Sequence, residues 1–191
     1  MTKSIIIVGV GGQGTLLASR ILGQVAMNAG FDVKVSEVHG MSQRGGSVIT
    51  YVRYGEKVHS PIIEEGGADI LLSFEQLETL RWLPYLKKGG IVISSQQKID
   101  PMPVITGAAA YPADILPSIA AMGIQVQSCD ALKLAEEAGS VKAVNVVLIG
   151  MLARHSVIAK EVFIQALSEC VKEKFLDMNL KAFELGYSQL T

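Results

Sequence analysis

Cysteine is scarce: Cys129 and Cys170 are the only two in 191 residues. Two thiolates cannot hold a four-cysteine zinc or iron–sulfur site, and neither lies in a CxxC pair. Both read as plain buried thiols. Charge is sparse as well, with 18% charged residues where about 25% is usual. Seventeen Lys and Arg stand against eighteen Asp and Glu, for a formal net charge of −1. With no basic field, neither nucleic acid nor an anionic membrane is an expected partner. Long apolar runs are missing too. The first, Ile5 to Val8, is too short for a signal-peptide core and runs into glycines, and nothing approaches the ~20 residues of a membrane span. A cytoplasmic protein is expected. His39, His59 and His155 lack metal-ligand spacing, and there is no GxSxG, no HExxH and no Walker A lysine, since Gly14 is followed by Thr15. No catalytic residue and no metal ligand is therefore assigned to this chain.

What is present is apolar and glycine-rich: 49% hydrophobic residues and 19 glycines. Such a chain is not disordered, its length suits a single domain over 1–191, and its apolar excess points to a large partner interface. Ile5 to Val8 reads as a buried parallel strand. Thr15 to Ala29 has helical spacing, with Leu16, Leu17, Ile21, Val25 and Ala29 on one face and Gly30 as its stop. Val33 to Val38 is a second strand. A hairpin follows where a doubly wound fold would place a helix: Val48 to Tyr54, a Gly55-Glu56 turn, then an extended piece from Val58 to Ile63. Winding resumes with a strand at Ala68 to Phe74, a helix at Glu75 to Lys88 and a strand at Ile91 to Ser95. Pro101 and Pro103 mark a loop. A strand at Ile124 to Gln127 and a helix at Ala131 to Ala138 come next. Ala143 to Arg154 reads as a helix apolar almost all round, hence buried. Helices at Ala159 to Phe175 and Asn179 to Leu190 end the chain. The expected fold is α/β: a three-layer Rossmann-like variant with a mostly parallel sheet and a β-hairpin insertion after the second strand.

Two loops carry the functional signal. Gly9-Val10-Gly11-Gly12-Gln13-Gly14 matches GxGxxG between a strand and a helix, where glycines permit a tight turn and the helix N-terminus offers free N–H groups to an anion. Glu37 lies 23 residues beyond Gly14, where a ribose-binding acid would sit. The loop can hold an anion or nucleotide, bind a dinucleotide for redox chemistry, or simply let the helix pack closely on the strand. The second loop, Gly40 to Gly46, sets Ser42, Gln43 and Arg44 beside Gly45, able to aim a guanidinium and N–H groups at a carboxylate or phosphate. Asn145, buried in an apolar helix, needs partners and is either a structural clamp or a ligand contact. Trp82 and Tyr85 read as packing residues.

Taken together, GVGGQG at 9–14, GMSQRGGSV at 40–48, HSPII at 59–63, KAVNVVLIG at 142–150 and NLKAFELGY at 179–187 resemble the gamma-type subunits of 2-oxoacid:ferredoxin oxidoreductases, most of all the small subunit of the indolepyruvate type. The resemblance spans nearly the whole chain. It implies a complex that oxidatively decarboxylates arylpyruvates with coenzyme A to an aryl-acetyl-CoA, carbon dioxide and reduced ferredoxin. Thiamine diphosphate, Mg and [4Fe-4S] clusters are then carried by a large (alpha) subunit, and ferredoxin meets the complex as a whole. This chain, inactive alone, would hold no cofactor tightly. Its contribution is a domain beside the active site, with coenzyme A phosphates as one candidate ligand of Gly9, Gly11, Gly12, Gln13, Gly14, Ser42, Gln43, Arg44, Gly45 and Asn145. The missing cluster cysteines and the lack of a GDG thiamine motif agree with it. The alternative is a stand-alone NAD(P)- or nucleotide-binding Rossmann-like protein.

Overall fold

The computed structural model describes residues 2–39 and 46–189. The β-branched run opens as strand β1, Lys3–Val10, and the glycines after it turn the chain into helix α1, Thr15–Asn28. Gly30, at φ +80°, ends that helix in the left-handed conformation that glycine tolerates best. Its N–H bonds Met27 O at 2.9 Å and that of Phe31 bonds Ala26 O at 3.0 Å. The buried face of α1 carries Ala18, Ile21, Leu22, Val25 and Ala26, while Leu16, expected on it, is 44% exposed. Strands β2, Asp32–His39, and β3, Ser47–Gly55, follow.

Beyond them come β4, Ala68–Ser73, and α2, Gln76–Trp82. The helix expected to reach Lys88 stops here. Pro84 sits in a 3-10 turn, Leu83–Tyr85, because proline lacks the N–H that an α-helical interior needs. The next strand, β5, accordingly starts early and spans Leu86–Ser95. The segment with Pro101 and Pro103 contains a one-turn helix α3, Met102–Ile105, before α4, Ile115–Ala121, and β6, Gln125–Cys129. Four helices complete the described chain: α5 Ala131–Ala138, α6 Val144–Arg154, α7 Lys160–Cys170 and α8 Leu176–Tyr187.

The six strands form one sheet in the order β2-β3-β1-β4-β5-β6. β1, β4, β5 and β6 are parallel to one another, and β3 runs antiparallel to both β1 and β2. The mostly parallel sheet is thus as expected, but the hairpin is not. Val58 to Ile63 contains no strand. Arg53 holds that segment instead, donating to Ser60 O at 3.0 Å and Ile62 O at 2.9 Å, and Asp32 accepts from Val58 N at 2.8 Å. Strand β3 finds its partners in β2 and β1, both of which bury more backbone than an isolated two-stranded ribbon could.

Period-two alternation along β1 decides the layers. Ile5 and Ile7 face one core with α1, α5, α6, α7 and α8, while Ile6 and Val8 face the other with α4 and the apolar side chains of α2. Helix α6 is buried over Val144 to Ala153. It crosses α8 at two glycines, because a Cβ on Gly150 would stand 2.2 Å from Phe183 O and one on Gly186 1.9 Å from Val147 O. Those glycines belong to the 142–150 and 179–187 stretches, whose distinctive spelling is a packing requirement.

Candidate functional site

Every strand of the parallel part ends at the same edge, which is where open α/β sheets bind ligands. Three of the glycines between the end of β1 and the start of α1 are needed for three different reasons. A Cβ on Gly9 would meet Gln13 Oε1 at 2.8 Å and the Phe74 ring at 3.1 Å, so Gly9 is a matter of space. Gly12, at φ +102°, has nothing among the described residues within 4 Å of such a Cβ, so its demand for glycine is conformational. Gly14, at φ +86°, needs both the left-handed conformation and the space, since its Cβ would lie 2.8 Å from Asn145 Nδ2.

Gln13 faces inward. Its Oε1 accepts from Val10 N at 2.7 Å, and its Nε2 donates to Phe74 O at 3.1 Å and Gln97 Oε1 at 3.0 Å. One side chain thereby ties the ends of β1, β4 and β5 together. Asn145 is 2% exposed. It donates from Nδ2 to Gly14 O at 3.2 Å and accepts at Oδ1 from Val146 N at 2.9 Å. The clamp reading of Asn145 is therefore the one its geometry describes, joining the start of α6 to the glycine turn.

Between these parts lies a cleft of about 460 Å³, lined by Gly12, Gly14, Leu17, Gln97, Lys142 and Val144 among others. Helix α1 enters it without a side-chain cap at Gly14, and α6 without one at Ala143. The first bond along α1 is Ala18 N to Gly14 O at 3.2 Å, so the N–H groups of its opening turn are available to a ligand. Gln97 and Lys142 are the contributions that sequence reasoning missed. The available signal was positional: Gln97 follows the carboxyl end of a strand, and Lys142 directly precedes the buried helix.

Ser42, Gln43, Arg44 and Gly45 lie outside the described residues. The chain on either side is anchored at the same edge. Gly11 N donates to Gly46 O at 2.9 Å, Ser47 Oγ donates to the Glu78 carboxylate, and Trp82 Nε1 reaches Ser47 Oγ at 3.3 Å. Trp82 thus does more than pack. Glu78, 4% exposed, also accepts from Arg81 Nε at 3.1 Å. Beside it the buried Glu75 accepts from Glu78 N at 2.9 Å, from Ile99 N at 3.1 Å and from the Tyr111 hydroxyl. Burial, with the Glu75 carboxylate adding to it, pushes the Tyr111 phenol far above its ordinary value.

The dinucleotide alternative loses its geometry. Glu37 is level with Thr50 of β3, and Thr50 with Ile7 of β1, which puts the acid two strand spacings, about 10 Å, from β1. In a Rossmann unit the acid-bearing strand adjoins the first. Glu37 Oε1 instead accepts from Ser19 Oγ of α1 at 2.9 Å. Cys129 is buried, and that burial, with Asp130 nearby, pushes its thiol up to about 12. Burial raises Cys170 as well. Among the described residues no group of three or more His, Cys, Asp or Glu is placed to hold a metal ion, and no helix is long and apolar enough to cross a membrane.

Comparison with known proteins gives a consistent picture. Residues 4–189 match the family described as pyruvate ferredoxin/flavodoxin oxidoreductase. The chain is 47% identical over 188 residues to indolepyruvate oxidoreductase subunit IorB of Thermococcus kodakarensis, covering 96% of this chain and 93% of that one. It is 43% identical to the subunit of the same name from Archaeoglobus fulgidus, covering 99% and 96%. In three dimensions it resembles the gamma subunit of a keto/oxoacid ferredoxin oxidoreductase from Geobacter sulfurreducens, with a TM-score of 0.72 at 24% identity and 97% and 96% coverage. It also superposes on a 2-oxoglutarate:ferredoxin oxidoreductase from Magnetococcus marinus, with a TM-score of 0.76 at 19% identity. That match takes in 98% of this chain but 30% of the larger one, whose structure has 2-oxoglutarate, coenzyme A and succinyl-CoA bound.

Proposed function

The chain belongs to the pyruvate ferredoxin/flavodoxin oxidoreductase family, and we propose that it serves there as the small subunit of an indolepyruvate-type, arylpyruvate-oxidising enzyme. The reaction converts a 2-oxoacid and coenzyme A to an aryl-acetyl-CoA and carbon dioxide, with two electrons leaving to ferredoxin. The observation that carries this reading is the near full-length identity to small subunits of that name. Thiamine diphosphate, Mg and [4Fe-4S] clusters are assigned to the large (alpha) subunit. The residues of this chain do not fit an iron–sulfur cluster, because it has only two thiols and they sit on separate elements.

The part left to this chain is binding. Among the described residues lining the cleft there is no carboxylate, imidazole or thiol, and Lys142 is the one ionisable side chain. They supply N–H donors at the Gly12 and Gly14 turn beside apolar walls. Such a surface orients an anionic, partly apolar molecule, and coenzyme A fits that description through its phosphates and its pantetheine arm. In this reading Gly9, Gly11, Gly12 and Gly14 shape the turn, Gln13 and Asn145 hold it, and Ser42, Gln43, Arg44 and Gly45 complete the anion contacts from the second loop.

The test is reconstitution under anaerobic conditions. The small and large subunits combined should reduce ferredoxin or a viologen dye with arylpyruvate, only when coenzyme A is present, and the small subunit alone should not. An arylpyruvate activity of the large subunit that this chain leaves unchanged would refute the proposal.

A further inference from the structure

Two buried carboxylates stand at the start of α2, Glu75 at 1% exposure and Glu78 at 4%, and a buried charge is costly unless its oxygens are used. Glu75 caps the helix through Glu78 N at 2.9 Å and also accepts from Ile99 N and the Tyr111 hydroxyl. Glu78 has different partners. One of its oxygens takes Arg81 Nε at 3.1 Å and the other takes the Ser47 hydroxyl. Ser47 Oγ in turn accepts from Trp82 Nε1 at 3.3 Å, so one residue of β3 gathers two polar side chains of α2. Ser47 is level with Val10 at the end of β1, and its neighbour Gly46 accepts from Gly11 N at 2.9 Å. A path from Glu78 through Ser47 and Gly46 to Gly11 therefore joins α2 to the glycine turn. Helix α1, which follows that turn, packs on one face of the sheet, whereas Leu77 and Trp82 of α2 pack on the other. The turn is thus held from the face opposite to its own helix.

We propose that Glu78 is a positioning residue for the glycine turn, acting through Ser47 and Gly46 on Gly11 rather than on a ligand. The inference rests on the reading of that turn as the subunit's binding site and goes beyond it by naming what sets the turn's position. Packing alone does not account for Glu78, because an apolar side chain of similar volume would fill the same space without burying charge. A carboxylate adds two acceptor oxygens in one plane: Arg81 fixes one, and the other aims the Ser47 hydroxyl. Gln13 ties the turn to Phe74 at the end of β4 and to Gln97 beyond β5, and Ser47 supplies the corresponding tie on the β3 side.

Two measurements on the full-length chain test this. In the free, ¹⁵N-labelled subunit, hydrogen exchange at the Gly11 amide should be about tenfold or more faster in Glu78→Ala and in Ser47→Ala than in the parent. The amides of Ile7 and Leu71, inside the sheet, should keep their parental rates. Ser47→Ala removes the same link by deleting a single oxygen, so it stands in should Glu78→Ala fail to fold. Glu78→Gln should restore the parental rate, because its oxygen can take Arg81 while its nitrogen donates to a rotated Ser47 hydroxyl. In the reconstituted complex, Glu78→Ala and Ser47→Ala should raise the KM for coenzyme A by about tenfold or more, leave the KM for arylpyruvate unchanged, and again be rescued by Glu78→Gln. A merely structural role would reduce the amount of active enzyme, and so kcat, with both KM values as in the parent. The proposal is overturned if Gly11 exchange or the KM for coenzyme A is parental in both variants, or if Glu78→Gln rescues neither. Should the parent subunit give no activity at all, that result strikes at the assigned function, and the exchange rates alone decide whether Glu78 positions the turn.

Discussion

Gly12 and Gly14 show how differently two neighbouring glycines can be constrained. At φ +102°, with no described residue within 4 Å of a Cβ, Gly12 can change only at the cost of backbone strain, about 1–2 kcal/mol for a side chain in the left-handed region. Gly12→Val should therefore fold with a modest loss of stability, yet lose most of the activity of the complex, because the branched side chain stands where a ligand would approach. Arg44→Ala should separate the two effects further: an unchanged thermal midpoint with activity of the reconstituted enzyme at least about tenfold lower, from the loss of a charge-assisted contact. Thermal melting and steady-state kinetics on the same preparations decide both. Cys129 yields a pH prediction. Its ordinary value is 9.0 and the folded value is about 12, so the unfolded chain loses its proton first. Stability from this group is complete below pH 9 and is lost progressively as pH rises from 9 towards 12. A Cys129→Ala variant should show a shallower alkaline decline in urea denaturation, and in the parent the thiol should resist iodoacetamide at neutral pH until the chain unfolds.

Helices α6 and α8 form the tightest contact between elements. Each places a glycine against the other's backbone, at distances that admit no side chain: 2.2 Å from Phe183 O for a Cβ on Gly150, and 1.9 Å from Val147 O for one on Gly186. Backbone atoms cannot swing aside as a side chain can, so the helices must separate. Gly186→Ala should cost about 3 kcal/mol or more despite alanine's better helix propensity. Urea denaturation measures it, and a change below 1 kcal/mol would mean that the helices can part freely. At the same scale, strand β3 lies between β2 and β1 and displaces the strand carrying Glu37 from the position it would need in a dinucleotide-binding unit. Local pattern revealed that β3 was a strand but not where it would insert, since pairing depends on contacts distant in sequence. Helix α2 shows the opposite case. Its stop at Trp82 follows from Pro84, a signal present in the sequence, where a single helix was expected from Glu75 to Lys88.

Across the molecule, exposed apolar residues are scattered, from Leu16 at 44% and Val141 at 50% beside the glycine turn to Met122 at 66% and Val157 at 95% elsewhere. The assignment to a complex rests on the near full-length likeness to small subunits of larger enzymes. Native protein purified anaerobically should therefore elute as an assembly much larger than 20.4 kDa, with iron and thiamine present in the partner. A lone chain free of both would contradict the assignment to a complex.

The sequence by itself determined the class of fold, most element positions, the first glycine turn and the family. These are carried by local periodicity, by glycines at fixed offsets and by short stretches such as 9–14 and 142–150 that can be read without knowing what touches them. Tertiary structure decided the place of β3 in the sheet and the inward turn of Gln13. It also decided the clamp role of Asn145 and the meeting of Gln97 with Lys142 at one cleft, 45 residues apart in the chain. The physical reason is that an amide's spacing says nothing of which atom donates; that is settled by the backbone groups facing it, and those come from β4 and from the turn before α1 only once the sheet has closed around them.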